Sequence, residues 1–385
     1  MESRKPITLV KGENEAGRIY PDEPSRFKET DVDPFLTWCV KEGTSDISIQ
    51  TERPIYNDIS GVLYPATFRA MDASDMTAFL NKIYGADAMA RLASGKDLDV
   101  SYEVRPDRYS RIRFRVNITA IQAKGRDSAQ ITMRSLPTEP PRLSDLGIEQ
   151  EIIDNWAPRQ GMVIVTGPTG SGKSTLLAAG NRMLLERIGG CGKMLTYEAP
   201  IEFTYDTIKS PRSLVSQSEI PRHLPDFEAG VRNALRRKPN IIMVGEARDR
   251  ETISAAIEAA QTGHAVYTTT HTTGVASTVR RMISSFEKEE RGERAYALME
   301  TLRMIVTQSL VPKVDGGRLG VREWMVFPDA VREKLLDMDF DEWTNEIERL
   351  IPSYGQSMKK SATEVFEKGL ISKTHYLLLT GGGEG

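Results

Sequence analysis

Met162-Val163-Ile164-Val165-Thr166, followed by Gly167-Pro168-Thr169-Gly170-Ser171-Gly172-Lys173-Ser174-Thr175, decides the fold of this 385-residue chain. The first five residues lack polar alternation and predict a strand buried on both faces. From Thr175 to about Ile188, the spacing of Leu176, Leu177, Met183, Leu184 and Ile188 predicts an amphipathic helix. A Gly-rich loop between such a strand and such a helix is a phosphate cradle. Gly167, Gly170 and Gly172 let backbone N–H groups turn toward phosphate oxygens with no Cβ in the way. The helix start adds partial positive charge. Lys173 is placed to reach the β- and γ-phosphates, and the Ser174 hydroxyl to ligate Mg²⁺. ATP and Mg²⁺ are therefore the expected cofactors.

Further apolar strands recur downstream of this loop: Met194–Tyr197, Ile241–Val244 and Ala265–Tyr267. Helical stretches lie between them, one with Phe227, Val231, Ala234 and Leu235 on a face, another with Ile253, Ala256, Ile257 and Ala260. Continuous apolar strands alternating with helices predict an α/β domain with a parallel sheet covered on both faces. The last hundred residues read mainly as helix, interrupted by a hairpin-like Asp315-Gly316-Gly317. Upstream the pattern differs. A helix from Pro34 to Gly43 precedes short alternating segments at Asp46–Gln50, Leu98–Val104, Arg111–Ile118 and Gln130–Arg134, which predict a smaller α+β domain on an antiparallel sheet. Three prolines in Leu136-Pro137-Thr138-Glu139-Pro140-Pro141 forbid regular structure and mark a stiff linker. The expected layout is a flexible lead segment at 1–33, the smaller domain at 34–136 and the linker at 137–145. The ATPase domain follows at 146–340, then a helical region at 341–385 that ends in a Gly-rich tail.

Three more segments bring chemistry to the carboxyl ends of the strands, where ligands lie in open α/β sheets. Ile241-Ile242-Met243-Val244-Gly245-Glu246 delivers a carboxylate that can hold the magnesium hydration shell or polarise an attacking water. Thr196-Tyr197-Glu198-Ala199-Pro200-Ile201-Glu202 adds Glu198 and Glu202. Gly263 to Thr273 ends a strand with His271 among hydroxyls; a lone histidine there is more often structural than catalytic, but His264 and His271 at either end of one strand suit a nucleotide-state sensor.

Composition sets outer limits. A hydrophobic content of 39% and a charged content of 27% belong to an ordinary globular chain. The net charge of −3 argues against a protein that coats nucleic acid. Cys39 and Cys191 have neither zinc-ligand spacing nor a disulfide framework, and read as reduced thiols. Met1–Pro6 lacks the apolar core of a secretory signal, and no apolar run reaches membrane-spanning length. The expected location is the cytoplasm, with any membrane association peripheral and through partners.

These four segments, in this order, resemble the secretion-ATPase superfamily of PilT, GspE and the type IV secretion traffic ATPases. Glu198-Ala199-Pro200-Ile201-Glu202-Phe203 resembles that family's Asp box, although the family usually carries an acid where Ala199 stands. Met243-Val244-Gly245-Glu246-Ala247-Arg248-Asp249 resembles its variant Walker B, and Thr269-Thr270-His271-Thr272 its His box. Glu42–Ser48 and Arg113–Asn117 resemble PilT's PAS-like domain, and Gln308-Ser309-Leu310-Val311-Pro312 a C-terminal segment of the family. Within the family, the resemblance is to the DotB/TraJ branch of type IVB secretion and conjugation. The resemblance implies a RecA-like P-loop core behind a PAS-like domain, with Glu246, Glu198, Glu202 and His271 in the hydrolytic site. It also implies a homohexamer at the inner-membrane secretion complex, with N-terminal arginines (Arg115, Arg126 and Arg134 being the candidates) reaching the γ-phosphate. Arginines alternating on a strand are otherwise most often a solvated face.

Other readings are a pilus motor, a nucleic-acid translocase and a nucleotide-gated scaffold with little turnover. Arg232, Arg236, Arg237, Lys238, Arg280 and Arg281 favour the translocase. The lack of an aromatic-interleaved basic stripe opposes it, so no direct nucleic-acid binding is expected.

Overall fold

The alternating segments of the first third pair as one antiparallel sheet. In the computed structural model, which describes residues 19–381, the chain divides after Thr138 into two units, and each is described by itself. The first runs α1 (Glu29–Lys41), β1 (Asp46–Gln50), β2 (Tyr56–Ile59), β3 (Val62–Pro65), α2 (Ala73–Ile83), α3 (Ala88–Ala93), β4 (Leu98–Val104), β5 (Ile112–Ala123) and β6 (Arg126–Leu136). Its sheet has the order β3-β2-β1-β6-β5-β4. One face supplies Ile47, Ile49, Val116, Ile118, Ile131 and Met133 to a core completed by Phe35 and Leu36 of α1 and Phe79 and Leu80 of α2. The other face is polar, as period-two alternation requires.

The lead segment is shorter than its composition suggests. Tyr20, Phe27 and Val32 are buried, and α1 starts at Glu29 rather than at Pro34. The Phe27 ring packs edge-on against Phe35 at 5.5 Å and Phe79 at 5.2 Å. Its backbone N–H donates to the buried Asp75 carboxylate at 2.7 Å. A few aromatics thus anchor a stretch whose overall content of charge, Gly and Pro reads as loose. Residues 1–18 of that segment, and the last four of the Gly-rich tail, lie outside the described residues.

The second unit contains α4 (Gln150–Asp154), β7 (Gly161–Thr166), α5 (Lys173–Glu186), β8 (Gly192–Glu198), β9 (Ser213–Glu219), α6 (Phe227–Leu235), β10 (Ile241–Val244) and α7 (Arg250–Gln261). It continues through β11 (Ala265–Thr269), α8 (Val275–Ser284), α9 (Arg291–Thr301), β12 (Leu302–Pro312), β13 (Arg318–Val326), α10 (Asp329–Leu336), α11 (Trp343–Tyr354), β14 (Gly355–Gln356), α12 (Met358–Glu367) and α13 (Lys373–Thr380). The sheet order is β14-β13-β12-β7-β11-β10-β8-β9, parallel from β12 to β9 and antiparallel at β13 and β14. Every residue of β7 and β10 is buried, which is why neither alternates. Met162, Ile164, Ile242 and Val244 face α6 to α9 on one side. Val163, Val165 and Met243 face Leu176, Leu177 and Trp156 on the other.

Three expectations change here. The hairpin-like Asp315-Gly316-Gly317 is the turn of a hairpin, but its strands β12 and β13 run far longer than an interruption and replace the expected helix over 302–326, because a buried run such as Met304-Ile305-Val306 has no period that separates strand from helix. The helix after the phosphate loop ends at Glu186, and Ile188 is fully exposed beside the turn at Gly189 and Gly190. Within the 137–145 linker, Leu143 opens a 3₁₀ turn (Leu143–Leu146) and is buried with the α5 cluster. Strand β9 escapes sequence reading because its residues are polar and half-buried at the sheet edge. Truncating the anchor of the lead segment tests its docking. Phe27→Ala should lower the stability of the N-terminal unit by about 3–5 kcal/mol in chemical denaturation, and a loss under about 1 kcal/mol would show the segment to be dispensable.

Candidate active site

Strand β7 ends in the middle of the sheet, and the loop 167–172 carries the chain from it into α5. Gly167, Gly170 and Gly172 have φ of +140°, +78° and +82°, a region that side chains disfavour. Space restricts Gly167 and Gly172 too. A Cβ on Gly167 would stand 2.2 Å from the Gln308 carbonyl oxygen, and one on Gly172 2.9 Å from Gln308 Nε2. Pro168 and Thr169 form the loop's outer bend and Ser171 is buried, while Ser174 and Thr175 lie in the first turn of α5.

Lys173 is buried, and its ammonium donates to the carbonyls of Gly167 at 2.8 Å and Pro168 at 3.0 Å. Burial pushes its pKa below the usual lysine value, while the negative charges of Glu246 and Glu202 act in the opposite direction. These two carboxylates therefore share the lysine's electrostatic environment. Glu246 lies just past β10, with Oε1 3.2 Å from His271 Nε2. Glu198 is oriented differently: it is buried at the end of β8, and its Oε1 accepts from Thr196 Oγ1 at 2.6 Å and Gln217 Nε2 at 3.0 Å. Of the Asp-box carboxylates, Glu202 contributes negative charge at Lys173.

Hydroxyl groups lock the strand ends together. Thr166 Oγ1 bonds to the Thr272 carbonyl at 2.6 Å, and Thr270 Oγ1 donates back to it at 3.0 Å. The Thr272 hydroxyl reaches that of Thr278 on α8 at 2.6 Å. Thr269 Oγ1 donates to the Gly245 carbonyl at 2.6 Å, beside Glu246. The loop that carries His271 is thereby fixed to both the phosphate-loop strand and the Glu246 strand.

The candidate arginines belong to the other unit. Arg115 and Arg134 are cross-strand partners on β5 and β6. Arg115 pairs with Asp99 and Arg134 with Asp46, each at 2.8 Å. Arg126 is exposed at the start of β6, in the same alternation as Arg134 and on the face away from the core.

Sequence reasoning missed four groups around the site. Gln217 steadies Glu198, and the buried Glu219 accepts from the Ile201 N–H at 3.2 Å. Gln308 and the buried Arg322 form a pair behind the phosphate loop. The strand period of β9 would have exposed the first two, but its polarity hid it. Gln308 opens a segment that carries the family resemblance, and nothing in its spacing assigns it a partner.

A buried lysine in a positive-φ glycine loop, with carboxylates and a histidine on neighbouring strand ends, defines a P-loop nucleotide hydrolase. Residues 23–372 match the family described as type II/IV secretion system protein, and the chain belongs to that family, that of the PilT/GspE-like ATPases. The chain is 32% identical to the type IV pilus retraction ATPase PilT of Pseudomonas aeruginosa, over 89% of this chain and 94% of that one. The X-ray structure of the ATPase DotB of Legionella pneumophila superposes with a TM-score of 0.90 at 49% identity, over 95% of this chain and 100% of that one. A crystal structure of the pilus retraction motor PilT with bound ADP superposes with a TM-score of 0.78 at 27% identity, over 92% and 97% of the two chains.

Among the described residues no group of three or more His, Cys, Asp and Glu side chains could hold a metal ion. A magnesium ion carried by phosphates needs only one or two protein oxygens, and the Ser174 hydroxyl and Glu246 carboxylate suit that role. No described helix is long and apolar enough to cross a membrane. Gly167→Ala should weaken ATP binding about tenfold or more in a fluorescent-nucleotide titration, because its Cβ has no room; unchanged affinity would mean that β12 gives way.

Proposed function

We propose that this chain is the subunit of a hexameric ring ATPase that powers a type IVB-like secretion or conjugative machine at the cytoplasmic face of the inner membrane. The observation that carries the reading is the buried Lys173 in a positive-φ glycine loop at the end of β7, with Glu246 and His271 paired at 3.2 Å after the neighbouring strands β10 and β11. The similarity to DotB over 95% of the chain favours the secretion branch.

In this mechanism the phosphates of ATP lie in the 167–174 loop, with Lys173 exchanging its carbonyl partners for β- and γ-phosphate oxygens. Mg²⁺, bound at Ser174 and Glu246, would neutralise phosphate charge. Water attacks the γ-phosphorus and gives its proton to Glu246, while the bond to the bridging oxygen breaks and ADP leaves with that electron pair. His271, 3.2 Å from Glu246, orients the carboxylate and registers the loss of the γ-phosphate. Glu202 adds negative charge beside the lysine, and Glu198 holds the Asp-box loop in place. Arg115, Arg126 and Arg134 are the candidates for stabilising the transition state from an N-terminal domain, a contribution worth about 10³–10⁵ in rate in P-loop enzymes. The Pro-rich stretch 137–145 would be the hinge between domains.

Lys173→Ala should abolish nucleotide binding. Glu246→Gln should keep binding and lower kcat by about 10²–10⁴-fold; full hydrolysis in that variant would move the base role to the Asp box. In solution the ATP-bound protein should sediment as six copies of the 43.0 kDa chain. Affinity capture in the ATP state decides between machines: conjugative-channel proteins support the secretion reading, whereas pilin-assembly proteins would replace it with a pilus motor, which the similarity to PilT supports.

A further inference from the structure

Gln308 on β12 touches the phosphate loop in two places. Its carbonyl oxygen fills the space in which a Gly167 side chain would stand. Its side-chain Nε2 donates to the Ser171 carbonyl at 2.6 Å in a buried setting. The Ser171 C=O and the Gly172 N–H belong to one planar trans peptide and point in opposite directions. A bond that holds the carbonyl toward β12 therefore aims the Gly172 N–H away from β12. Gly172 is also the N-cap residue of α5, so this N–H stands where the helix meets its anion.

Gln308 is held in turn. Arg322, on the partner strand β13, donates Nε to Gln308 Oε1 at 2.7 Å, which fixes the amide with its NH₂ toward Ser171. Gly320 leaves room for this, since a Cβ there would stand 2.5 Å from Arg322 Nη2. The rest of the guanidinium is spent on one short segment ahead of α4. Nη1 donates to the Gly147 carbonyl and the Glu149 carboxylate at 3.2 Å each, and Nη2 to the Leu146 carbonyl at 3.3 Å. A buried guanidinium needs such partners to offset its desolvation. Here they form one continuous chain of bonds from the phosphate loop to the residues that follow the Pro-rich stretch.

We propose that Gln308 is a positioning residue for nucleotide, orienting the Ser171–Gly172 peptide toward phosphate, and that Arg322 transmits the state of the loop to Leu146–Glu149. The inference rests on the reading of the 167–174 loop as the ATP site. Occupancy by phosphate pulls on the Gly172 N–H, that pull tightens the Ser171–Gln308 bond, and the Gln308–Arg322 pair passes it to the segment leading into the ATPase unit. A packing role alone would lower stability and leave nucleotide affinity and the response of residues 146–149 untouched.

The test compares the full-length wild type with Gln308→Met, which keeps the length and removes both bonds. Arg322→Lys serves as a milder second variant, since one ammonium cannot span Gln308 and the three acceptors at Leu146, Gly147 and Glu149. Gln308→Met should raise the KM for ATP roughly tenfold with kcat changed less than about twofold, and Arg322→Lys should shift KM in the same direction by less. Hydrogen exchange should show ATP protecting the amides of residues 147–149 in the wild type and not in Gln308→Met. A wild-type KM in Gln308→Met, or equal protection in both proteins, overturns the inference. If Gln308→Met does not fold, a wild-type KM in Arg322→Lys overturns it equally. Failure of the wild type itself to bind ATP would instead remove the underlying reading of the loop.

Discussion

The burial of β7 on every side is the constraint from which the rest of the ATPase unit follows. Its backbone is bonded to parallel neighbours β11 and β12, and both its faces are covered by helices. A strand so enclosed cannot shift register without moving apolar side chains across the sheet. The loop at its end therefore starts from a fixed point, and the strand ends on one side, at β8, β10 and β11, are fixed relative to it. The loops that carry Glu202, Glu246 and His271 start from those fixed ends. Chemistry at the rim is inherited from packing in the middle.

Electrostatics at that rim is arranged around a single desolvated amine. Lys173 pays for its burial with carbonyl partners and with carboxylates on neighbouring loops. A polyanion entering the loop meets a largely buried cation, where each contact is stronger than in solvent. The threonine ladder from Thr166 through Thr272 to Thr278 keeps the histidine loop in step with the lysine loop. Rigid donors and a buried cation are what phosphoryl chemistry asks of its protein.

Much of this was legible in the residues themselves. The parallel core announced itself through apolar runs at 162–165 and 241–244, and the loop through its glycines and its lysine. What stayed hidden has physical reasons. Strand β9, at the end of the sheet, is polar because its side chains are mostly only half-buried, so no apolar run marks it. The turn of the β12–β13 hairpin was legible at Asp315-Gly316-Gly317, but the length of its strands was not, since buried runs such as Met304-Ile305-Val306 lack a readable period. Phe27 and Tyr20 act as isolated anchors, and averages over composition dilute isolated anchors. Glu198 and Glu202, four residues apart in one motif, look equivalent in sequence; the bonds that Glu198 accepts from Thr196 and Gln217 depend on the fold and could not be read from spacing.

The polar face of the N-terminal sheet carries a row of opposite charges, with Arg134 against Asp46 and Arg115 against Asp99. Exposed pairs of this kind contribute only about 0–1 kcal/mol each. Water competes for both members of each pair, so the row neutralises the charge of the face without stiffening the strands beneath it. Its removal would change the surface charge far more than the stability of the sheet.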